Sequence, residues 1–226
     1  MDGNTIVSTI DANIQGIVEE KLWEFNEEYK NKVREGNGAN NVGAIIMEVD
    51  TGNVLAMASY PNFDLNNPYD LSAYYTEDQV ATLKEEDQYF DTLNALWRNY
   101  CISDTYEPGS TFKPIVVGMG LEYGTLKGNE TYECTGVMSV GGHEIKCNSK
   151  HGIVTLKEAV EHSCNVAMMK MAAQMGAFTF SKGQNLFNFG LKTNIDLAGE
   201  ARTVGLLYDE TMGSADLATN SFGQNF

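Results

Sequence analysis

The segment Glu107-Pro108-Gly109-Ser110-Thr111-Phe112-Lys113-Pro114 decides how this chain of 226 residues is interpreted. Its Pro-Gly pair indicates a turn, and the apolar run that follows to about Tyr123 predicts a buried helix that begins near Ser110. Pro114 fits this prediction, because a proline in the first helical turn lacks only an N–H that would have no partner there. Ser110 is therefore expected at a helix N-terminus.

Ser110 and Lys113 together form a minimal activated nucleophile. They are three residues apart, so they share one face of the predicted helix, and the helix dipole places partial positive charge at the serine. A lysine amine that burial keeps neutral can accept the serine proton. The alternative is a capping serine followed by a solvated lysine, since a bare Ser-x-x-Lys pattern has little specificity. The turn before it and the apolar helix after it favour the catalytic interpretation.

A second candidate segment is His162-Ser163-Cys164-Asn165. Residues two apart on a continuous helix point to different sides, so Ser163 and Asn165 can act together only if the helix breaks here. Asn165 could then cap the helix that follows. The alternative is a turn between two helices that carries two capping residues and no chemistry.

Sequence patterns predict the remaining elements. Residues 5–35 carry a helical pattern with Asp11 as its N-cap, and residues 42–59 form a β-hairpin that turns at 50–53. Thr155-Leu156-Lys157-Glu158 is a capping box, and a methionine-rich helix over 166–175 fills the core. The polar stretch from Pro61 to about Arg98 can hold short helices, and residues 185–226 are rich in loops.

The four cysteines leave several interpretations open. Residues 134–147 are expected to form a hairpin about Gly141-Gly142, and this would allow a cross-strand disulfide between Cys134 and Cys147. Two free, partly buried thiols are an equal alternative. A zinc site made of Cys134, His143, Cys147 and His151 is a third, although none of its spacings is the short one typical of zinc sites.

Composition excludes some classes of function. The formal net charge is −16, which disfavours binding to nucleic acid or to anionic lipid surfaces. The sequence has no apolar run of about 18 residues. Its first residues lack the features of a signal peptide, so we expect either a cytoplasmic protein or a piece of a longer exported chain.

Taken in order, the motifs resemble the transpeptidase domain of class B, monofunctional penicillin-binding proteins. The Ser-Thr-Phe-Lys and Ser-Cys-Asn segments resemble the first two motifs of the penicillin-recognising serine acyltransferases. The resemblance extends over nearly the whole chain, through 9–15, 43–66, 107–114, 195–200 and 221–224. It implies an α+β fold like that of penicillin-binding proteins and serine β-lactamases, with a helical subdomain and part of an antiparallel sheet. Residues 5–60 would give the N-terminal helix and hairpin, and residues 61–226 the mostly helical part.

The resemblance also implies the roles of four residues. Ser110 would be the nucleophile, acylated by D-Ala-D-Ala stem peptides of peptidoglycan or by β-lactams, and its backbone N–H would form half of the oxyanion hole. Lys113 would accept the serine proton. Ser163 would relay a proton and orient Lys113, and Asn165 would bind the substrate backbone. No cofactor or metal is implied.

One family motif is absent. The expected Lys-Thr/Ser-Gly strand does not occur in the sequence, and we reject Lys192-Thr193-Asn194 because it lacks the glycine. In the family this motif follows the region of Gly223-Gln224, so we expect the chain to be incomplete at its C-terminus. Removing one oxyanion donor costs roughly 10²–10³ in rate, so we expect these 226 residues alone to be inactive or nearly so. Unpaired strand edges in 42–59 would also allow self-association.

Competing functions and partners complete the expectations. The alternatives are a class D β-lactamase or β-lactam sensor and a non-catalytic scaffold. A class D enzyme typically has a hydrophobic residue where Asn165 stands. The resemblance implies that the protein acts on the extracytoplasmic face of the bacterial membrane, where an anchor outside this sequence would hold it. It also implies a membrane glycosyltransferase of the SEDS family as a partner.

Overall fold

A computed structural model describes residues 5–32 and 38–226. The chain divides into two compact units, Met1–Asp104 and Thr105–Phe226. The division at residues 60 and 61 drawn from sequence stays a prediction, as does anything that falls on residues 33–37, which lie outside the described part. Within the described residues, no helix combines the length and the apolar character that crossing a bilayer requires.

The first unit is built on a helix and a β-hairpin. Helix α1 spans Ala12–Tyr29, and Asp11 caps it by accepting from the N–H groups of Asn13 and Ile14, as predicted. Strands β1 (Val42–Met47) and β2 (Val54–Tyr60) pair antiparallel, which confirms the hairpin. Three short helices follow, namely α2 (Glu77–Glu85), α3 (Tyr89–Trp97) and α4 (Tyr100–Ser103).

The outer edge of β2 is partly covered by the segment around α1. The Gln15 side chain both donates to the Met57 carbonyl (3.1 Å) and accepts from the Met57 N–H (2.9 Å). The Asp11 N–H donates to the Leu55 carbonyl (2.9 Å). These bonds satisfy backbone groups that the sequence analysis expected to be unpaired, so the prediction of open edges is wrong on this side of the hairpin.

The second unit packs two helices against small sheets. Helix α5 spans Lys113–Glu122, and α7 spans Asn165–Leu186 with a break at Gly176, where φ is 71°. Strands β3 (Thr131–Cys134) and β6 (Gly152–Thr155) pair, as do β4 (Val137–Val140) and β5 (His143–Lys146). Helix α6 covers Leu156–Glu161 and α8 covers Ser214–Asn220.

The core of the second unit lies between α5 and α7. The predicted methionine-rich segment is buried as expected, since Met168, Met169 and Met171 are each at most 1% exposed. The predicted capping box at Thr155 is present and starts α6. The hairpin around Gly141-Gly142 is confirmed, but it is shorter than predicted: Cys134 belongs to β3 and pairs with Gly152 on β6.

Candidate active site

Ser110 lies on a 3₁₀ turn, Gly109–Phe112, that leads directly into α5. The predicted helix start is confirmed, with the difference that α-helical hydrogen bonding begins only at Lys113. The Phe112 ring is buried against three other rings, those of Phe180, Phe189 and Phe226. This anchor holds the turn while the Ser110 side chain remains exposed.

The nucleophile turn is supported from behind by the segment after α8. The Gly109 N–H donates to the Gly223 carbonyl (2.8 Å), and the Glu107 carboxylate accepts from the Asn225 N–H (2.5 Å). A Cβ on Gly223 would lie 2.1 Å from the Gly109 carbonyl oxygen, and Gly223 has φ of 77°. Only glycine fits this contact, and the sequence offered no local signal for it.

The Ser163-Cys164-Asn165 segment is a tight turn between two helices. Helix α6 ends at Glu161 and α7 begins at Asn165, which confirms the predicted break. Ser163 adopts a left-handed conformation with φ of 53°. The prediction that Asn165 caps α7 is wrong: Cys164 is the N-cap, and its Sγ accepts from the Ala167 N–H (3.4 Å).

The two turns meet at the Lys113 amine. Lys113 Nζ lies 2.9 Å from Ser163 Oγ, 2.7 Å from the Ser163 carbonyl oxygen and 2.7 Å from Asn165 Oδ1. Ser163 Oγ lies 3.0 Å from Ser110 Oγ. The structure therefore brings together all four residues that the sequence predicted, and a chain of hydrogen bonds joins Ser110 to Lys113 through Ser163.

Burial tunes the Lys113 amine. Its side chain is 1% exposed, and burial lowers its pKa below the usual value, while the nearby Cys147 and Cys164 side chains oppose this shift. A neutral amine has two donors and one lone pair. The Ser163 carbonyl and Asn165 Oδ1 can only accept, so the lone pair is left for the one partner that can donate, the Ser163 hydroxyl. This arrangement suits a proton acceptor.

A family model of the penicillin binding protein transpeptidase domain matches residues 42–224. The chain belongs to this family. Among curated relatives, the stage V sporulation protein D of Bacillus subtilis is 32% identical over 99% of this chain and 30% of that protein. The peptidoglycan D,D-transpeptidase FtsI of Escherichia coli K12 is 32% identical over 97% of this chain and 32% of its own length.

The chain thus spans about a third of the length of these two relatives. Solved structures agree on the fold. A peptidoglycan glycosyltransferase from Burkholderia ambifaria aligns with a TM-score of 0.73 at 23% identity, covering 96% of this chain and 56% of that one. The transpeptidase domain of Burkholderia pseudomallei penicillin-binding protein 3 aligns with a TM-score of 0.71 at 23% identity, covering 96% and 52%. The predicted fold class is confirmed, and the β-lactamase alternative finds no support among these relatives.

The rejected near-match to the third family motif, Lys192-Thr193-Asn194, does not form a strand. Thr193 is in a loop, where its N–H and hydroxyl both donate to the Glu200 carboxylate, at 2.6 and 2.8 Å. This environment agrees with the rejection of Lys192-Thr193-Asn194 as a sheet motif.

Three of the four cysteines, all but Cys101, gather behind the Ser163-Cys164-Asn165 turn. One ligating atom from each of Cys134, Cys147, His151 and Cys164 lies within 4.8 Å of the others. All four cysteines of the chain are free, so the disulfide interpretation is wrong for this structure. The zinc set considered from sequence shares three of these residues, but Cys164 replaces His143, which is exposed on β5 and lies outside the cluster.

Proposed function

We propose that this domain acts as a serine-type peptidoglycan D,D-transpeptidase that is also acylated by β-lactams. The observation that carries the proposal is the hydrogen-bonded series Ser110 Oγ, Ser163 Oγ and Lys113 Nζ, with Asn165 Oδ1 on the same amine. Membership of the transpeptidase domain family and the names of the two curated relatives give independent support.

Acylation follows from these contacts. The Ser110 proton passes to Ser163 Oγ as the Ser163 proton passes to the neutral Lys113 amine, and Ser110 Oγ attacks the carbonyl carbon between the two terminal D-alanines. The backbone N–H of Ser110 stabilises the oxyanion. When the tetrahedral intermediate collapses, the proton returns through Ser163 to the departing D-alanine amine. An acyl ester on Ser110 remains.

The second half-reaction uses the same groups in reverse. The amine of a second stem peptide attacks the ester carbonyl, its proton passes through Ser163 to Lys113, and a new peptide bond forms as Ser110 regains its hydrogen. The side-chain oxygen of Asn165 accepts from Lys113, and its amide nitrogen donates to the Lys146 carbonyl (3.3 Å). We propose that this amide also borders the bound substrate backbone.

The biological setting is part of the proposal. Peptidoglycan lies outside the cell membrane, so we place the domain on the extracytoplasmic face, and we retain a SEDS glycosyltransferase as its expected partner. Self-association through the hairpin of the first unit would use backbone groups that the segment around α1 leaves uncovered.

The test is covalent labelling of the full-length gene product with a fluorescent penicillin. We expect one adduct per chain, mapped by mass spectrometry to Ser110, and its loss in Ser110→Ala. Ser72→Ala, which removes an exposed serine in the first unit, is the matched control and keeps the adduct. Labelling that persists in Ser110→Ala would contradict the assignment, and formation of crosslinked stem peptides separates a transpeptidase from a penicillin-binding scaffold.

A further inference from the structure

Four potential metal ligands converge on one point behind the active site. Cys134 and Cys164 are fully buried, while Cys147 and His151 are half-buried. Cys147 Sγ lies 3.9 Å from Cys164 Sγ and 3.7 Å from His151 Nδ1. The proton-transfer chemistry proposed above uses none of these four side chains.

These distances match the edges of a tetrahedron around zinc. Zn–S bonds of about 2.3 Å at tetrahedral angles separate two sulfurs by about 3.8 Å, and a Zn–N bond of about 2.0 Å gives a slightly shorter edge. A disulfide would instead need its sulfurs about 2.05 Å apart. All four ligating atoms lie within 4.8 Å of one another, and the sulfurs of Cys147 and Cys164, at 3.9 Å, are too far apart to form a disulfide.

Two backbone N–H groups are directed at sulfurs of the cluster. The Asn165 N–H donates to Cys147 Sγ (3.2 Å), and the Ala167 N–H donates to Cys164 Sγ (3.4 Å). Both donors belong to the first turn of α7. Three cysteines and one histidine form a closed set of four protein ligands, which is typical of a structural zinc site.

We propose that Cys134, Cys147, His151 and Cys164 bind one Zn²⁺ ion that holds the Ser163-Cys164-Asn165 turn in its active geometry. The ion joins the end of β3, the residue after β5, the connection to β6 and the N-cap of α7. Metal binding itself does not depend on the proposed function. The effect on acylation does depend on it.

The positioning effect follows from the place of Cys164 between two site residues. Ser163 has a left-handed backbone, which costs a non-glycine residue free energy and persists only where its surroundings enforce it. Asn165 also contacts the carbonyl of Lys146, the residue before Cys147. A metal bond to Cys164 and one to Cys147 would therefore fix both neighbours of the Lys113 amine.

The first experiment measures metal content. The full-length gene product is purified without chelators, and zinc is quantified for the wild type and for four variants. We expect Cys134→Ser and His151→Ala each to lose one zinc per chain. His151→Cys should retain it, because four thiolates also form a tetrahedral zinc site. Cys101→Ser, which removes the cysteine outside the cluster, should match the wild type. Cobalt reconstitution should give the intense visible bands of tetrahedral thiolate coordination.

The second experiment separates positioning from folding. Wild-type protein is stripped of metal under reducing, anaerobic conditions, and its acylation rate by a fluorescent penicillin is measured before and after zinc is added back. We expect the stripped protein to react about 10- to 100-fold more slowly, with recovery on zinc addition, as misplaced catalytic groups usually cause. Its thermal unfolding temperature should fall and recover in parallel.

The outcomes are distinct. Equal zinc content in wild type and Cys134→Ser, or a disulfide within the cluster of the native protein, overturns the metal site. A bound zinc whose reversible removal leaves acylation unchanged overturns the positioning role. If Ser110 is not acylated in any form, the proposed function fails, yet the zinc content and cobalt spectra still decide whether the metal site exists.

Discussion

Two turns supply the polar groups of the site, and they are held in place differently. The nucleophile turn, residues 107–114, rests on an aromatic cluster around Phe112 and on the backbone of Gly223. The Ser163-Cys164-Asn165 turn has hydrogen bonds to sulfur and a cluster of ligating side chains behind it. The first turn combines aromatic packing with hydrogen bonds to Gly223 and Asn225, whereas the second has its polar contacts mainly at sulfur.

This difference shows how a single tripeptide can serve two environments. Ser163 and Asn165 face the Lys113 amine, while Cys164 between them faces the other cysteines. On a continuous helix these directions would not be available, and the left-handed Ser163 provides them. The conformation that assembles the site also directs its middle residue toward the cluster.

The largest expected effect comes from removing the group that joins the two turns. Lys113→Met keeps the length of the buried side chain but has no amine, so Ser163 and Asn165 lose their common partner. We expect acylation by a β-lactam to slow by about 10²–10⁴-fold, the range for loss of a general base. Lys157→Met, on the exposed face of α6, is the control and should react like the wild type.

Retention of near wild-type acylation by Lys113→Met would mean that another group accepts the Ser110 proton. Thermal unfolding of the variant guards against misinterpretation, because a misfolded protein would also fail to react. We expect the fold to persist, since methionine adapts to a buried apolar site.

The second prediction distinguishes the contribution of the Ser163 hydroxyl from that of the Ser163 backbone conformation. Ser163→Ala and Ser163→Gly both remove the relay, so we expect both to acylate about 10²-fold more slowly. They should differ in stability: glycine accepts the φ of 53° freely, so Ser163→Gly should be more stable than Ser163→Ala by about 1 kcal/mol. Urea unfolding measures the difference, and normal acylation by either variant would remove Ser163 from the proton path.

Interactions between residues that are close in sequence could be predicted, whereas interactions between distant residues could not. Ser110 and Lys113 are only three residues apart, and the adjacent sequence itself indicates the turn and the apolar helix that flank them. The hairpin at 42–59 and the capping box at Thr155 are equally local, and the sequence predicts both. A short motif also identified Ser163 and Asn165, although only the resemblance gave them roles.

The interactions that sequence reasoning missed join distant residues. Gly109 meets Gly223 across more than a hundred residues, and no pattern near either one indicates the contact. Cys164 was hidden for a similar reason: it lies 30 residues from Cys134, and its segment was interpreted through Ser163 and Asn165. The zinc set considered from sequence contained His143 instead, which is exposed on β5 and lies outside the cluster.

A third, smaller effect tests the support of the nucleophile turn. Gly223→Ala introduces a Cβ that would lie 2.1 Å from the Gly109 oxygen, at a φ of 77°. Gly124→Ala is the matched control, because its φ of 68° imposes a similar backbone cost with no atom within 4 Å. We expect losses of about 3 kcal/mol and about 1 kcal/mol in stability, respectively, with the excess arising from the clash.

Thermal or urea unfolding checks both glycine variants, and acylation by a fluorescent penicillin adds a second readout. If the packing of Gly223 positions Ser110, Gly223→Ala should react more slowly than Gly124→Ala even at temperatures where both are folded. Equal stability losses in the two variants would mean that the backbone around Gly109 moves freely, and the nucleophile turn would then not be fixed by packing.

The smallest expected effect tests whether α6 or the cysteine cluster fixes the conformation of the Ser163-Cys164-Asn165 turn. Thr155 Oγ1 accepts from the Glu158 N–H (3.2 Å) and the Glu158 carboxylate accepts from the Thr155 N–H (2.8 Å), so Thr155→Ala should cost about 1 kcal/mol by loosening the start of α6. Thr76→Ala removes the equivalent capping box in the first unit and should cost a similar amount. Because we attribute the turn to contacts of Cys164 and Cys147 rather than to α6, both variants should keep wild-type acylation rates while folded. If Thr155→Ala is acylated more slowly and Thr76→Ala is not, then α6, and not the cysteine cluster, holds the turn in place.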